Sequence, residues 1–543
     1  VSPFDDTTIL AALGGVFRLA VPEAVLVAAA CVLFLAGTVR RPSRVVAGAI
    51  ALAALAGAML AAWLVPAPDD LLATVVALRA DPFAAVVRWI ALVSGAVLVL
   101  VCWDGVPDSQ APDFQACLLT AVAGLSLAGA ANELITLFLA LEMISIPTYV
   151  MLYLPRPDRR GQEAAVKYFL LSILSSAVFL FGLSYLYGLA GTTNVAAIHQ
   201  TIDAAWKAAR DAAEPVPGSV WMALTAVVML TAGLSYRMTA VPFHFYAPDV
   251  YQGAATAPVA VLAHLPKVAG FAALIRLLGL TEVGPDRVGL VVGPQVPVLL
   301  WILAAITMTV GNALALAQDN IKRLLAYSSV AHGGYLLIGV ATVAQEAVLH
   351  TGRPEYPGGV ESVLFYLVAY GAMTVGLFAV IACVGTRERP VEHIDDLAGL
   401  YRSHPALALA AGLFLFSLIG LPLTAGFAGK LLLFLGAVGT TNPQAGPAPS
   451  TLLEWLFPIL ALIAAINSAV GAYYYLRVLG VMFLRNAVKP IQAPRRVAGW
   501  VSVAVCGAVT LVFGVYPWPL LKGVRRAAPQ TAPAAPALAQ ATP

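Results

Sequence analysis

Apolar runs of about twenty residues, separated by short polar or Pro/Gly-rich breaks, recur from one end of this chain to the other. Each is long enough for a helix to cross a bilayer, and none shows the roughly ten-residue alternation of a barrel strand. Fourteen spans are predicted, at about 18–39, 44–65, 82–103, 114–131, 133–154, 163–190, 220–250, 256–279, 290–317, 321–344, 361–386, 404–437, 452–484 and 499–521. The runs 220–250, 404–437 and 452–484 exceed what one straight span needs. The first two carry internal prolines, Pro242 and Pro248 in one, and Pro422 between Gly420 and Gly426 in the other. Proline removes a backbone donor, so these two runs read as discontinuous helices. Such breaks are tolerated only where the freed backbone is buried in protein or lines a wet cavity.

The polar remainder is thin. Residues 194–214 predict a short amphipathic helix, residues 389–403 a second surface helix, and the Ala/Pro/Gln-rich stretch 527–543 a disordered tail. No stretch is large enough for a soluble catalytic domain. The fold class is therefore an all-α, polytopic membrane protein. The first run lacks a basic segment and a small-residue cleavage site ahead of it, and is read as a retained span.

Of 543 residues, 60% are hydrophobic and 11% charged, and the mean hydropathy is +0.87. A net charge of +3 gives no reason to expect nucleic acid as a partner. Loops after odd-numbered spans hold fifteen Lys and Arg, the others eight, and the positive-inside rule then puts both termini on the outer face. Cys31, Cys102, Cys117, Cys383 and Cys506 stand singly with no CxxC, so no iron–sulfur cluster or zinc is expected on this chain. No phosphate-binding glycine motif is present.

Ionisable residues within the spans carry the chemistry, because a charge at membrane depth costs about 2.5–3.5 kcal/mol on insertion scales. Glu142 lies mid-span, five residues before Pro147; Glu133, near the start of the same run, reads as an interfacial carboxylate. Arg237, His244, Asp249, His264 and Lys267 crowd the segment GLSYRMTAVPFHFYAPDVYQGAATAPVAVLAHLPKVAG. Of only seven lysines, Lys167, Lys267 and Lys430 fall inside apolar runs. A desolvated lysine can release and regain a proton. Lys167 follows Glu163 by four residues, and so fits a helix-surface ion pair as well as a path. His264 precedes Lys267 by three and reads as packing residue or relay. His244 and His332 suit a relay at neutral pH. These positions point to movement of small cations, protons first.

At these residues the chain resembles the antiporter-like membrane subunits of respiratory complex I, the NADH–quinone oxidoreductase of bacteria. VPFHFYAPDVYQGAATAPV matches the broken-span motif of that family, and its DVYQGA portion fits one branch better than the paralogues. NIKRLLAYSSVAHGGYLLIG, DLAGLYRSHP and GLPLTAGFAGKLLLF come in the same order, and the likeness runs from about the third span to the fourteenth. The resemblance implies two inverted five-helix repeats, each with one broken helix. They would occupy 114–279 and 280–484, preceded by helices in 1–113 and followed by a last helix within 485–526. It also implies a proton path through Glu142, Lys267, Lys430, His244 and His332. The seventh-span lysine of the family falls on Arg237, which holds its proton permanently and is a poor carrier.

By the same resemblance the chain is expected to be a proton-translocating membrane-arm subunit of an NADH:quinone oxidoreductase, in a bacterial cell (inner) membrane. Its partners would be the other membrane and peripheral subunits and the surrounding lipid. NADH, FMN, iron–sulfur clusters and a quinone would serve the complex, none of them bound on this chain. Two alternatives stay open at this point: a subunit of a multisubunit sodium/proton antiporter, and a non-pumping scaffold whose buried charges lock helices together.

Overall fold

A computed structural model describes residues 14–64, 77–156, 158–212, 218–281, 289–291, 293–349, 358–385, 390–440, 452–487 and 496–527. Most of the tail lies outside these residues. Three helices come first: α1 (Val21–Val39), α2 (Arg44–Leu64) and α3 (Pro82–Cys102). Next are α4 (Ala111–Ala130), α5 (Leu134–Tyr153), α6 (Arg159–Ala190) and the amphipathic α7 (Val195–Ala212). The first interrupted run gives α8 (Gly218–Met238) and α9 (Tyr246–Gly253), followed by α10 (Thr256–Leu278). Then come α11 (Gln295–Leu316), α12 (Ile321–Leu349) and α13 (Val360–Val384). The second interrupted run gives α14 (Pro405–Ile419) and α15 (Ala425–Gly439), before α16 (Leu452–Leu484), α17 (Val497–Val515) and α18 (Trp518–Arg525). Thirteen of the described helices are long and apolar enough to cross a membrane. The short pair α14 and α15 makes up the remaining run, 404–437, and brings the total to fourteen.

Both proline-bearing runs are interrupted, and the local chemistry differs between them. In the first, α8 stops at Met238, Thr239 takes a left-handed φ of 56°, and the Val241–Pro242 peptide is cis. Pro248 does not break anything: it sits in the first turn of α9, where its missing N–H would have had no partner anyway. In the second, Gly420 (φ 93°) and Leu423 (φ 69°) turn the chain around Pro422. The long run 452–484 is one continuous helix with Pro458 in its second turn.

Two segments differ from expectation. The segment 389–403, described from 390, forms no continuous surface helix; there is a 3-10 turn at Ile394–Leu397 and a single turn at Leu400–Ser403. Their backbone is engaged elsewhere: Ile321 donates its N–H to Glu392 O, Ile394 donates to Asp319 O, and Gly399 at φ 71° breaks the path. The helix of the last run ends at Val515, and a corner at Tyr516–Pro517 precedes α18.

The amphipathic segment folds as predicted. Asn194 caps α7 through Ala197 N, and Ile198 and Ile202 bury its apolar face. His199 Nε2 meets Leu277 O at 2.8 Å, and burial holds its pKa down at about 4. The folded state thus resists protonation that an exposed histidine accepts near 6.5, so stability falls as pH drops from about 6.5 toward 4. The full loss is about 3 kcal/mol at this docking point. Thermal unfolding followed against pH should show the slope, and His199→Gln should flatten it.

Within the bundle, α10 is buried on every side and packs against α4, α5, α8, α13 and α3. The antiparallel pair α11–α12 approaches through bare backbone. A Cβ on Gly311 would stand 2.5 Å from Ala331 N, and one on Gly334 2.5 Å from Met308 N. Small residues that admit backbones this closely replace the hydrophobic effect as the driver of helix pairing in lipid. Gly334→Leu is expected to destabilise by more than the 1–3 kcal/mol usual for overpacking, since backbone rather than a side chain must move. Loss of the chain from the membrane fraction would report it.

Candidate functional site: charges buried at two interrupted helices

The first cluster lies where α5, α6 and the end of α8 meet. Glu142 projects from α5, and Arg237 from the last turn of α8, where a cation also suits the helix dipole. Arg237 Nη2 donates to Glu142 Oε1 at 2.8 Å, and Ser176 Oγ donates to the same oxygen at 2.6 Å. Arg237 Nη1 donates to Leu141 O at 2.9 Å and to Ser145 Oγ. Arg237 is only 4% exposed and Glu142 is 22% exposed. With Ser176 Oγ also accepting from Nη2 at 3.3 Å, the planar guanidinium spreads over four acceptors at once, which a single ammonium cannot match.

The second cluster starts at Lys267 in the fully buried α10. Its Nζ donates to Ser329 Oγ at 2.8 Å and to Ser329 O, and lies 4.8 Å from the centre of the Tyr370 ring. Tyr370 OH donates to Ser329 Oγ at 2.8 Å. The end of α8 is close by: a Cβ on Gly333 would sit 2.9 Å from Met238 O and 3.7 Å from Lys267 Nζ. Gly270, one turn beyond Lys267, is where α10 meets Arg237 and Met238.

From there a polar stripe runs along one face of α12, through Ser328, Ser329, His332 and Tyr335, at helical spacing. His332 is 1% exposed and engaged on both ring nitrogens, Nδ1 to Tyr366 OH at 2.6 Å and Nε2 to Tyr475 OH at 3.1 Å. Tyr475 OH in turn meets Ser328 Oγ. Tyr335 closes the stripe, with Lys430 Nζ 4.9 Å from its ring centre.

Lys430 sits on α15 and reaches back across the second interruption. Its Nζ donates to Leu418 O at 2.9 Å, Ile419 O at 3.0 Å and Ser468 Oγ at 3.0 Å. The two carbonyls belong to the last turn of α14, which the break at Gly420 leaves without intrahelical donors. An ammonium there satisfies the orphaned acceptors and the negative end of the dipole together. Neither Lys267 nor Lys430 has a carboxylate partner among the described residues. Both buried cations are held by neutral oxygens.

The remaining predicted residues are placed apart from this chain of contacts. Lys167 lies nine residues before Ser176 on α6, about 13 Å along the helix. It pairs with Glu163 and Asp249, each at 2.8 Å, and is 40% exposed. Asp249 also accepts from Arg323 at 2.6 Å, so the carboxylate ties α6 to the start of α12. His244 is half-buried in the first interruption, and its Nδ1 has no partner among the described residues. His264 faces away from the stripe, toward Ser94.

Sequence reasoning missed two buried ion pairs near helix starts. Glu23 (3% exposed) accepts from Arg88 Nε at 2.9 Å and from Ser126 Oγ. Arg276 (2% exposed) grips Asp81 through both terminal nitrogens and donates to Gly129 O at 2.6 Å. Glu23, Asp81 and Arg276 lie close to run boundaries, where an interfacial residue is the default reading. Only the pairing of Arg88, mid-run in α3, could have signalled burial. Tyr366, Tyr370 and Tyr475, which surround His332, were also unremarked, since a tyrosine in an apolar run carries no warning of its hydroxyl's partner.

Buried charges gathered at two interrupted helices of a polytopic bundle are the arrangement expected of an ion-translocating membrane protein. The family described as NADH:quinone oxidoreductase/Mrp antiporter, TM, matches residues 131–445. The chain is 36% identical over 516 residues to the NADH-quinone oxidoreductase subunit N of Anaeromyxobacter sp. (strain Fw109-5), covering 92% of this chain and 94% of that one. It is 37% identical to the subunit N of Trichlorobacter lovleyi, covering 82% and 83%. Among solved structures, a chain of respiratory complex I from Thermus thermophilus with bound aureothin superposes with a TM-score of 0.70 at 29% identity, over 92% of this chain and 98% of that one. The Mrp complex from Dietzia sp. DQ12-45-1b shares the fold, with a TM-score of 0.73 at 22% identity over 95% of this chain and 52% of that one. The chain belongs to the NADH-quinone oxidoreductase subunit N family.

Proposed function

We propose that this chain is a proton-translocating membrane-arm subunit of an NADH:quinone oxidoreductase, and that Glu142, Arg237, Lys267, His332 and Lys430 are its working residues. The observation that carries the reading is that Lys267 and Lys430, each beside one of the interruptions, are held only by hydroxyls and backbone carbonyls; the third buried lysine, Lys322 at the start of α12, donates to Ala254 O. A structural lysine at this depth would be expected to sit on a carboxylate, as Arg88 does on Glu23. A lysine on neutral oxygens can give up its proton without stranding a buried anion.

In this reading quinone reduction in other subunits alters the field at Glu142–Arg237. Arg237 stays charged and tunes Glu142, while the moving protons pass by way of Lys267, the Ser329/His332/tyrosine stripe and Lys430. His244 stands at the first interruption as an accessory relay, and Lys167 with Asp249 at the end of the path. The repeats would be 114–279 and 280–484, in inverted orientation, each contributing one interruption. The other subunits of the complex and lipid are the partners, the bacterial cell membrane the location, with both termini on its outer face. NADH, FMN, iron–sulfur clusters and quinone belong to the rest of the complex.

Lys430→Gln tests the second half. Glutamine keeps donors for Leu418 O and Ser468 but carries no labile charge, so the complex should assemble and oxidise NADH while protons moved per NADH fall several-fold. Unchanged translocation in inverted vesicles would favour a scaffold role. Co-purification with flavin and iron–sulfur subunits separates this reading from an Mrp-type antiporter, which would lack them.

A further inference from the structure

Two side-chain amides are buried where α11, α12 and α16 meet: Asn312 on α11 and Asn467 midway along α16. Asn312 Nδ2 faces Met308 O at 3.0 Å, Tyr335 OH at 3.2 Å and Asn467 Oδ1 at 3.2 Å. Tyr474 OH donates to Asn312 Oδ1 at 3.0 Å. Asn467 Nδ2 donates to Ile463 O at 3.0 Å and to Thr309 Oγ1 at 3.2 Å. A backbone carbonyl only accepts, so Met308 O and Ile463 O fix which end of each amide is the nitrogen. α16 also leaves room for the pair: a Cβ at Gly471, one turn beyond Asn467, would come 3.2 Å from Asn312 Oδ1.

Holding the helices together does not require these amides. The backbones of α11 and α12 already touch at Gly311 and Gly334, and Trp301 Nε1 ties α11 to α16 by donating to Leu456 O at 2.7 Å. Two leucines would pack there without the desolvation cost of two amides. What the amides add is direction. Ser468, which meets Lys430 Nζ at 3.0 Å, is the next residue after Asn467 on α16. The Tyr335 ring, 4.9 Å from the same Nζ, is hydrogen-bonded at its hydroxyl by Asn312. Ser468, Asn467, Asn312 and Tyr335 thus join two contacts of the ammonium, on different helices, by way of a third helix. A satisfied polar network of this kind holds one geometry more narrowly than apolar packing does.

We propose that Asn312, with Asn467, is a positioning residue for Lys430. The amide pair holds the Tyr335 ring and Ser468 at set places around the ammonium, at the point where the stripe of α12 reaches Lys430. Neither amide carries a proton itself. The proposal rests on the reading of Lys430 as a proton carrier.

The test is a double-mutant cycle on the assembled complex in inverted vesicles. Replacing both partners of a buried hydrogen bond by apolar groups of like shape costs little stability. Asn312→Leu with Asn467→Leu should therefore assemble and oxidise NADH like the parent. Protons moved per NADH should fall about fivefold, the weight of one hydrogen bond. In the Lys430→Gln background the same two changes should cost nothing further, because the group they position is gone. A further fall of like size in that background, parent-level translocation by the leucine pair, or its failure to assemble would each overturn the proposal and leave the amides as packing. Parent-level translocation by Lys430→Gln alone would overturn the carrier reading, and this proposal with it.

Discussion

Lys267→Ala should lower proton translocation per NADH oxidised by more than about tenfold, while NADH oxidation by an artificial acceptor continues. A positioned proton-transfer group contributes about 10²–10⁴-fold, so its removal is not offset by a neighbour. The cavity left by the side chain adds a stability cost of its own. That cost is moderate because Lys267 has no anionic partner to strand, and Ser329 and Tyr370 keep each other. Equal loss of both activities, with no complex assembled, would mark Lys267 as structural. Translocation is read in inverted vesicles beside the parent complex.

The Glu142–Arg237 pair gives the other large effect, and what is lost depends on which partner is removed. Glu142→Gln leaves the buried guanidinium of Arg237 with Leu141 O, Ser145 and Ser176 but without a counter-charge. Breaking a buried pair costs about 3–5 kcal/mol, and Glu142, 22% exposed, should fall at the lower end. Glu142→Gln with Arg237→Met should therefore assemble better than Glu142→Gln alone. Arg237→Lys keeps the charge but reaches fewer of the four acceptors, so it should pump with reduced coupling. Arg237→Met should pump least. Parent-level pumping by Arg237→Met would remove the position from the coupling scheme.

The fold was legible because a bilayer leaves the chain so little choice. Runs of apolar residues had to be helices, and proline beside left-handed backbone interrupts two of the overlong runs, while Pro458 leaves the third continuous. Pro242 and Pro422 lie in the breaks, whereas Pro248 is harmless in a first turn, a distinction that depends on where the helix restarts. The stretch 389–403 misled because its helical pattern is overridden by hydrogen bonds to residues 319–321. For the site, Glu142, Arg237, Lys267 and Lys430 were readable as charges out of place. Their partners were not, since Ser329, Tyr370 and the carbonyls of Leu418 and Ile419 carry no sequence signal. His264 was readable only as a neighbour of Lys267, and its ring faces the opposite way, to Ser94.

The neutral cradles of Lys267 and Lys430 have a consequence for how the two sites are occupied. With no fixed anion at either, each arriving proton changes the local field by a whole charge. Their contacts on α12, Ser329 and Tyr335, are six residues or about 9 Å apart. Occupancy of either site is therefore a full change of charge beside the same stretch of α12. The two cradles share one helix, so a shift of α12 reaches both at once.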